Sequence, residues 1–131
     1  MKDLLCGGFQ ELVESSLVRH KSILDVLTKF QESNARVNRS VVKAITSCGC
    51  LTVKAEKKEI PADITFTELK GFLETHLEGE LCEHCREIVQ GEMGQNLYYL
   101  AALCNLLGLN LYDTIIVEHK KLEALGIFNC Q

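Results

Sequence analysis

Residues 88–107, IVQGEMGQNLYYLAALCNLL, form the longest amphipathic segment of the chain. Its apolar residues recur at intervals of four and three, which places them on one face of a helix. Glycine follows at position 108, and glycine readily adopts the left-handed conformation that ends many helices. We therefore predict a central helix that ends at Gly108. Its predicted buried face consists of Met93, Leu97, Leu100, Cys104 and Leu107.

Length and composition limit the class of fold. The chain has 131 residues, which suffice for one hydrophobic core but not for two independent cores. A hydrophobic fraction of 47%, together with one proline and few aromatic residues, favours helices over a turn-rich β fold. We predict a single all-α domain over residues 1–131.

Charge and hydropathy restrict the partners and the compartment. The net charge of -4 argues against broad nucleic-acid binding, because that binding depends on neutralising phosphates. The first 14 residues lack the apolar core of a secretory signal, and no apolar run reaches the ~18 residues of a membrane span. We expect a cytoplasmic protein without membrane contact. Its cysteines should be reduced, metal-bound or redox-active rather than disulfide-bonded.

Apolar residues at helical spacing also run through residues 9–45, without proline or glycine. This pattern predicts either one long helix or two helices with a joint near residues 20–22, and the sequence does not distinguish them. Residues 47–61 predict a loop with at most one short strand.

Two capping patterns mark shorter helices. Thr65 is followed three residues later by Glu68, a capping box that predicts a helix to about Leu77. Asn110 should cap the last helix, which stops at Gly126.

Two close cysteine pairs flank the segment between the main helices. They are Cys48-Gly-Cys50 and Cys82-Glu-His-Cys85. Four thiolates that arrive as two pairs predict a closed, structural Zn²⁺ site, in which His84 is an alternative ligand to one cysteine. We therefore interpret residues 47–86 as a zinc-binding loop and short-helix insertion between the second and third main helices.

Other roles for the cysteines stay open at this point. The CEHC segment is also a dithiol motif, although the chain lacks the alternating β-α pattern of thioredoxin-like proteins. Unligated buried thiols are the remaining alternative. Cys104 is most simply a small core residue, and Cys6 and Cys130 receive no role.

Two segments resemble the all-α nucleoside triphosphate pyrophosphohydrolases, the MazG-like family. Residues 91–113, GEMGQNLYYLAALCNLLGLNLYD, resemble the third-helix segment of that family. Residues 27–45, LTKFQESNARVNRSVVKAI, resemble its earlier metal-binding helix. The resemblance implies a helical bundle in which carboxylates from both helices hold Mg²⁺. That ion assists cleavage between the α and β phosphates of a nucleoside triphosphate.

Only part of the acid set implied by the resemblance is present. Glu32 and Glu92 match acids of the family pattern, whereas Ser33, Arg36 and Gln95 replace acids. Mg²⁺ needs negatively charged oxygen ligands, and a guanidinium among them opposes the ion. We therefore expect a degenerate site without catalysis, and Mg²⁺ as a cofactor only if the protein is enzymatically active.

The sequence thus supports three functional hypotheses. The first is a zinc-stabilised, catalytically inactive MazG-like protein that acts as a binding or regulatory module. The second is a pyrophosphohydrolase with a rebuilt site, in which Lys29, Arg36 or Arg39 contacts phosphate. The third is a thiol or zinc redox sensor. In each of them Arg36 can also form a structural salt bridge with Glu32 or Glu92.

The expected partners follow from the same features. The degenerate site predicts a nucleotide or another phosphate ligand. The apolar faces of the last two helices, together with the resemblance, predict a homo-oligomer, either a dimer or a tetramer built from two dimers.

Overall fold

The computed structural model describes residues 4–126, and 70% of the structure is helical. The helices are α1 (Leu5–Ser16), α2 (Ile23–Lys43), α3 (Phe66–Phe72), α4 (Glu83–Leu107) and α5 (Leu111–Leu125). A π-helical turn (Ala44–Cys48) continues α2, and β1 (Leu51–Val53) pairs with β2 (Leu77–Gly79) in a two-stranded antiparallel sheet. The predicted helical class is therefore confirmed, but the described residues are mostly helical rather than all-α, because they include this small sheet.

The first long helical segment is divided into two helices. Residues 17–22 separate α1 from α2, and His20 has a φ of 58°, which a right-handed helix does not accommodate. Ser22 caps α2, since its hydroxyl oxygen accepts a hydrogen bond from the Leu24 amide at 3.2 Å. The sequence left open one long helix or two helices with a joint near residues 20–22, and the structure has two helices.

Helix α4 is the centre of the fold and packs against both α2 and α1. Cys82 is its N-cap, and Gly108 ends it with a φ of 70°, as predicted. The residues of α4 that are buried in this chain are Cys85, Val89, Ala101, Ala102 and Cys104.

The predicted buried face of α4 was largely wrong. Cys104 is buried and Leu100 is half-buried, but Met93, Leu97 and Leu107 are 47%, 49% and 61% exposed. The physical reason is that α4 carries a second row of small and apolar residues, which allows closer approach of the neighbouring helices. Periodicity detects an apolar stripe on a helix. It does not show whether that stripe packs against other helices of the same chain.

The segment after α3 also differs from expectation. Thr65 caps α3 as predicted, accepting a hydrogen bond from the Glu68 amide at 3.1 Å. However, α3 ends at Phe72, and Leu77 belongs to β2, so the predicted helix end was wrong. The prediction for residues 47–61, a loop with at most one short strand, is confirmed, since β1 is the one strand there. Pairing with β1 overrides the local helix propensity of this segment. Gly79, with a φ of 87°, allows that pairing, because a Cβ there would collide with the Cys50 carbonyl oxygen.

Two apolar clusters stabilise the fold. The larger one joins α1, α2, α4 and α5 through Val13, Val26, Ala101, Ala102, Cys104 and Leu111. The smaller one lies at the opposite end of α2, where Ala44, Leu51 and Cys85 pack together. In the described part of the chain no single helix has the length and apolar character of a membrane span. Helices α4 and α5, bent by 103° at their junction, meet that criterion only when taken together.

Gln10 links α1 to the turn between α4 and α5. Its side chain donates to the Leu109 carbonyl at 2.8 Å and accepts from the Leu111 amide at 2.9 Å. The carbonyl of Gln10 accepts from the Asn105 side chain at 3.1 Å. Gln10 thus satisfies an amide at the start of α5, a group that has no partner inside its own helix. Asn110 caps the same helix through the Asp113 amide, as predicted.

We expect Gln10→Ala to lower the free energy of unfolding by about 1–3 kcal/mol, because it leaves the buried Leu111 amide and the partly buried Leu109 carbonyl without their partner. The measurement is chemical denaturation. Gln31→Ala, in the exposed face of α2, is the matched control. Equal stability of the two variants, within about 0.5 kcal/mol, would contradict this role of Gln10.

Candidate metal centre and adjoining groove

The four paired cysteines meet in space. Cys48 ends the π-helical turn, Cys50 precedes β1, and Cys82 and Cys85 lie at the start of α4. Their sulfur atoms all lie within 4.8 Å of one another, and the Cys48 and Cys82 sulfurs are 3.8 Å apart. A tetrahedral metal with sulfur ligands at about 2.3 Å requires sulfur separations of about 3.8 Å. The four cysteines can therefore hold a metal ion with little rearrangement.

Local structure explains how the chain brings these cysteines together. Gly49, with a φ of 81°, ends the helical turn and reverses the chain between the first two cysteines. Gly79 allows β2 to lie against the backbone of Cys50, so the small sheet closes beside the cluster. Apolar packing of Ala44 and Leu51 around Cys85 holds the two ends of the loop together.

The thiols at the start of α4 differ in acidity. The Cys85 amide donates to the Cys82 sulfur at 3.4 Å, and this contact lowers the pKa of Cys82 to about 7. The pKa of Cys85 is raised to about 12, first because its thiol is hydrogen-bonded to Cys82 and also because of burial. Without a metal, one sulfur of this pair thus loses its proton readily and the other keeps it. A metal ion must displace that proton, so metal affinity should fall as the pH falls.

The other candidate residues have different positions. His84 is exposed and does not belong to the four-cysteine cluster, although it lines a cavity of about 190 Å³ beside Cys48 and Cys85. Cys104 is buried in the larger apolar cluster, as predicted. Cys6 is half-buried in α1, and Cys130 lies outside the described residues.

A groove between α2 and α4 contains the residues of the degenerate acid site. Its larger part has a volume of about 460 Å³ and is lined by Glu32, Ala35, Arg36, Arg39, Ser40, Lys43, Ile88 and Glu92. A neighbouring part of about 280 Å³ is lined by Lys29, Glu32, Ser33, Arg36, Glu92, Gln95 and Tyr99. All five degenerate-site residues and all three candidate phosphate ligands thus line one groove, although Lys29 and Gln95 are 66 positions apart in the sequence.

The acids of the groove are outnumbered by its cations. Glu32 lies 3.4 Å from both the Lys29 ammonium and the Arg36 guanidinium. The contact with Lys29, and to a lesser extent the contact with Arg36, holds the pKa of the Glu32 carboxyl below its usual value. The structural salt bridge considered for Arg36 is therefore present, and its partner is Glu32.

Ser33 acts within the helix pair rather than as an open ligand. It is only 3% exposed, and its hydroxyl donates to the Phe30 carbonyl at 2.7 Å. The same hydroxyl accepts from the Asn96 side chain at 3.1 Å, and Asn96 also donates to the Asn34 side chain. These polar contacts tie α2 to α4 below the groove.

The sequence patterns did not predict this polar link between α2 and α4. They also did not predict that Lys43 lines the groove. Asn34 and Asn96 gave a weak signal, since asparagine is unfavourable inside helices and often has a specific partner there. The signal for Lys43 was its position seven residues after Arg36, which puts both side chains on the same face of α2.

The groove reaches the four-cysteine cluster. Ser40, Lys43 and Ile88 line both the larger part of the groove and the cavity beside Cys48 and Cys85. The four-cysteine cluster and the cationic residues of α2 therefore belong to one continuous surface. Comparison with protein-family models, with curated proteins and with solved structures finds no match to this chain.

Proposed function

We propose that the chain is a zinc-stabilised binding module on a MazG-like helical scaffold, without pyrophosphohydrolase activity. The observation that carries this proposal is the lining of the groove, in which Glu32 and Glu92 face four cations contributed by α2. Such a groove favours an anion over a divalent cation, because Mg²⁺ requires several negative oxygen ligands.

The placement of the two resembling segments supports the scaffold. Glu32 and Arg36 from the earlier segment face Glu92 and Gln95 from the later one across a single groove. In the family pattern, acids at the corresponding positions hold Mg²⁺ between two helices. Relative to that pattern, the groove has lost three negative charges and gained the positive charge of Arg36. We infer that its ligand has changed from a metal-bound triphosphate to a phosphate group held directly by side chains.

Arg36 is available for such a ligand although it is paired. Its contact with Glu32, at 3.4 Å, is longer than a strong charged hydrogen bond, and both side chains are largely exposed. Exposed pairs of this kind contribute at most about 1 kcal/mol. A phosphate carries more charge than one carboxylate, and the planar guanidinium can donate two parallel hydrogen bonds to it.

We expect no measurable Mg²⁺-dependent release of pyrophosphate from nucleoside triphosphates by the unmodified protein. Calorimetry should instead detect nucleotide binding that is insensitive to Mg²⁺ and weakened by Arg36→Ala. The double variant Arg36→Glu with Gln95→Asp should gain Mg²⁺ affinity, measured as a rise in melting temperature with Mg²⁺ that the unmodified protein lacks.

Adding Ser33→Glu completes the acid set, and Mg²⁺ should then be needed to offset the charge placed at this buried position. The double variant serves as the folded reference if the triple variant unfolds. Turnover by the unmodified protein that disappears with Glu32→Gln or Glu92→Gln would instead establish the rebuilt enzyme.

We infer that the metal of the four-cysteine cluster is Zn²⁺. Four thiolates in a tetrahedral arrangement suit this ion, and a set of four leaves no open position for catalysis. The metal would join the end of α2 to the start of α4 across a loop of more than 30 residues. Its role is then structural.

Zinc analysis should give about one ion per chain for the native protein. Cys82→Ser and Cys85→Ser should each lose the ion, whereas Cys6→Ser, outside the cluster, should retain it. Chelation should lower the free energy of unfolding by about 4 kcal/mol if free zinc exceeded its dissociation constant a thousandfold. Zinc affinity should fall with decreasing pH, because protons compete for the thiolates. Fully folded protein without zinc would contradict the assignment.

We propose that the exposed apolar stripe of α4 is covered by a second copy of the chain. Leu97 lies about 200° around the helix axis from Gln95, so the stripe faces away from the groove. Leu27, on α2, is 47% exposed as well. A homodimer through this stripe, or a tetramer of two such dimers, would bury these side chains and leave the groove open.

Light scattering at micromolar concentrations should give a mass of at least twice the 14.7 kDa of the chain. Leu97→Glu should shift the mass toward that of a monomer, because it places a charge in the apolar contact. Gln95→Glu adds the same charge at an exposed position on the opposite side of α4 and should leave the mass unchanged. A monomeric mass for the unmodified protein would refute the association.

A further inference from the structure

Two cations at the cysteine end of the groove remain available for a ligand. Lys29 and Arg36 both contact Glu32, as described above. Among the described residues, by contrast, no ion pair involves Arg39 or Lys43, although both line the larger part of the groove. They lie four residues apart on α2, about 6 Å along the helix axis, and therefore on adjacent turns. Their charges are the least neutralised in the groove.

Lys43 occupies a distinctive position. It lines the groove and also the cavity beside the cysteines, together with Ser40 and Ile88. Arg36 lies seven residues earlier, which corresponds to about 10 Å along α2. A ligand held only at Arg36 would leave Arg39 and Lys43 without an anionic partner.

We propose that Arg39 and Lys43 form a second anion subsite, so that the ligand is a small molecule with more than one phosphate group. One phosphate lies at Arg36, and another lies at the end of the groove beside the cysteines. This inference rests on the proposed anion-binding function and specifies its ligand. Both subsites are built from α2, whose last turn leads directly into the turn that carries Cys48.

The groove fits a small oligophosphate better than a nucleic-acid strand. Its larger part, about 460 Å³, has the size of a typical small-molecule site. Glu32 and Glu92 interrupt the cations, and the whole chain has a net charge of -4. A long polyanion that left the groove would therefore meet repulsion rather than further phosphate contacts.

The metal centre offers a competing role for Lys43. Four thiolates around a divalent metal carry a net charge of -2, and Lys43 lines the cavity next to Cys48 and Cys85. Lys43 could serve only to offset that charge. The two roles predict different effects of the same substitution, on anion affinity in one case and on metal affinity in the other.

The test is calorimetric titration of the zinc-loaded protein with inorganic phosphate, tripolyphosphate and a six-residue oligothymidylate at fixed, low salt. The unmodified protein should bind tripolyphosphate about tenfold more tightly than phosphate. Lys43→Gln and Arg39→Gln should each weaken tripolyphosphate binding about five- to tenfold, consistent with the loss of one charged contact. Phosphate binding should change less than twofold. Lys43→Arg should retain the affinity, and Lys120→Gln, on α5, is the matched control.

Several results would overturn the subsite. If Lys43→Gln has the same tripolyphosphate affinity as Lys120→Gln while Arg36→Ala weakens binding, the second subsite is refuted. The proposed function would then still hold. Reduced zinc content of Lys43→Gln with unchanged tripolyphosphate affinity would assign Lys43 to the metal centre. If the oligothymidylate binds more tightly than tripolyphosphate, the ligand is a nucleic acid rather than a small oligophosphate. Absence of binding to all three probes would refute the proposed function as well.

Discussion

The packing of α2 against α4 is the contact on which the rest of the structure depends. It buries Val89 and the Ser33 hydroxyl, and Asn96 hydrogen-bonds across it. One cysteine pair follows α2 and the other lies at the start of α4, at the same end of the contact, so correct pairing of the helices assembles the sulfur cluster. The groove is the outer edge of that contact. The four-cysteine cluster and the groove therefore result from the same pairing of two helices.

The four-cysteine cluster lies at the base of a weakly packed part of the fold. The loop between the helices contains only α3 and two three-residue strands, and no residue of α3 is buried. Closing such a loop costs conformational entropy that few apolar contacts offset, and the smaller cluster around Ala44 contains just two other buried residues, Leu51 and Cys85. A metal bond at the base of the loop would supply the missing stabilisation. It would also fix the last turn of α2, which carries Lys43.

Local signals predicted much of this structure. The caps at Thr65 and Asn110 and the helix end at Gly108 depend on neighbouring residues alone, and they are where the sequence placed them. The two cysteine pairs also lie together as predicted, since their close spacing is typical of ligands to one metal ion. Nonlocal packing decided the rest. The sequence could not tell that Leu77 pairs with Val53 in a sheet, or that Leu97 lies outside the core of its own chain. Gln10 gave no local signal, since its partners lie about 100 positions away.

X-ray absorption at the zinc edge, on protein purified with its native metal, tests the central claim most directly. The technique reports the elements bound to the ion and their distances without relying on activity or on a known ligand. A centre formed by Cys48, Cys50, Cys82 and Cys85 predicts four sulfur neighbours at about 2.3 Å. A first shell that includes nitrogen would place His84 among the ligands instead of one cysteine. A shell dominated by oxygen or nitrogen would contradict the cysteine centre altogether.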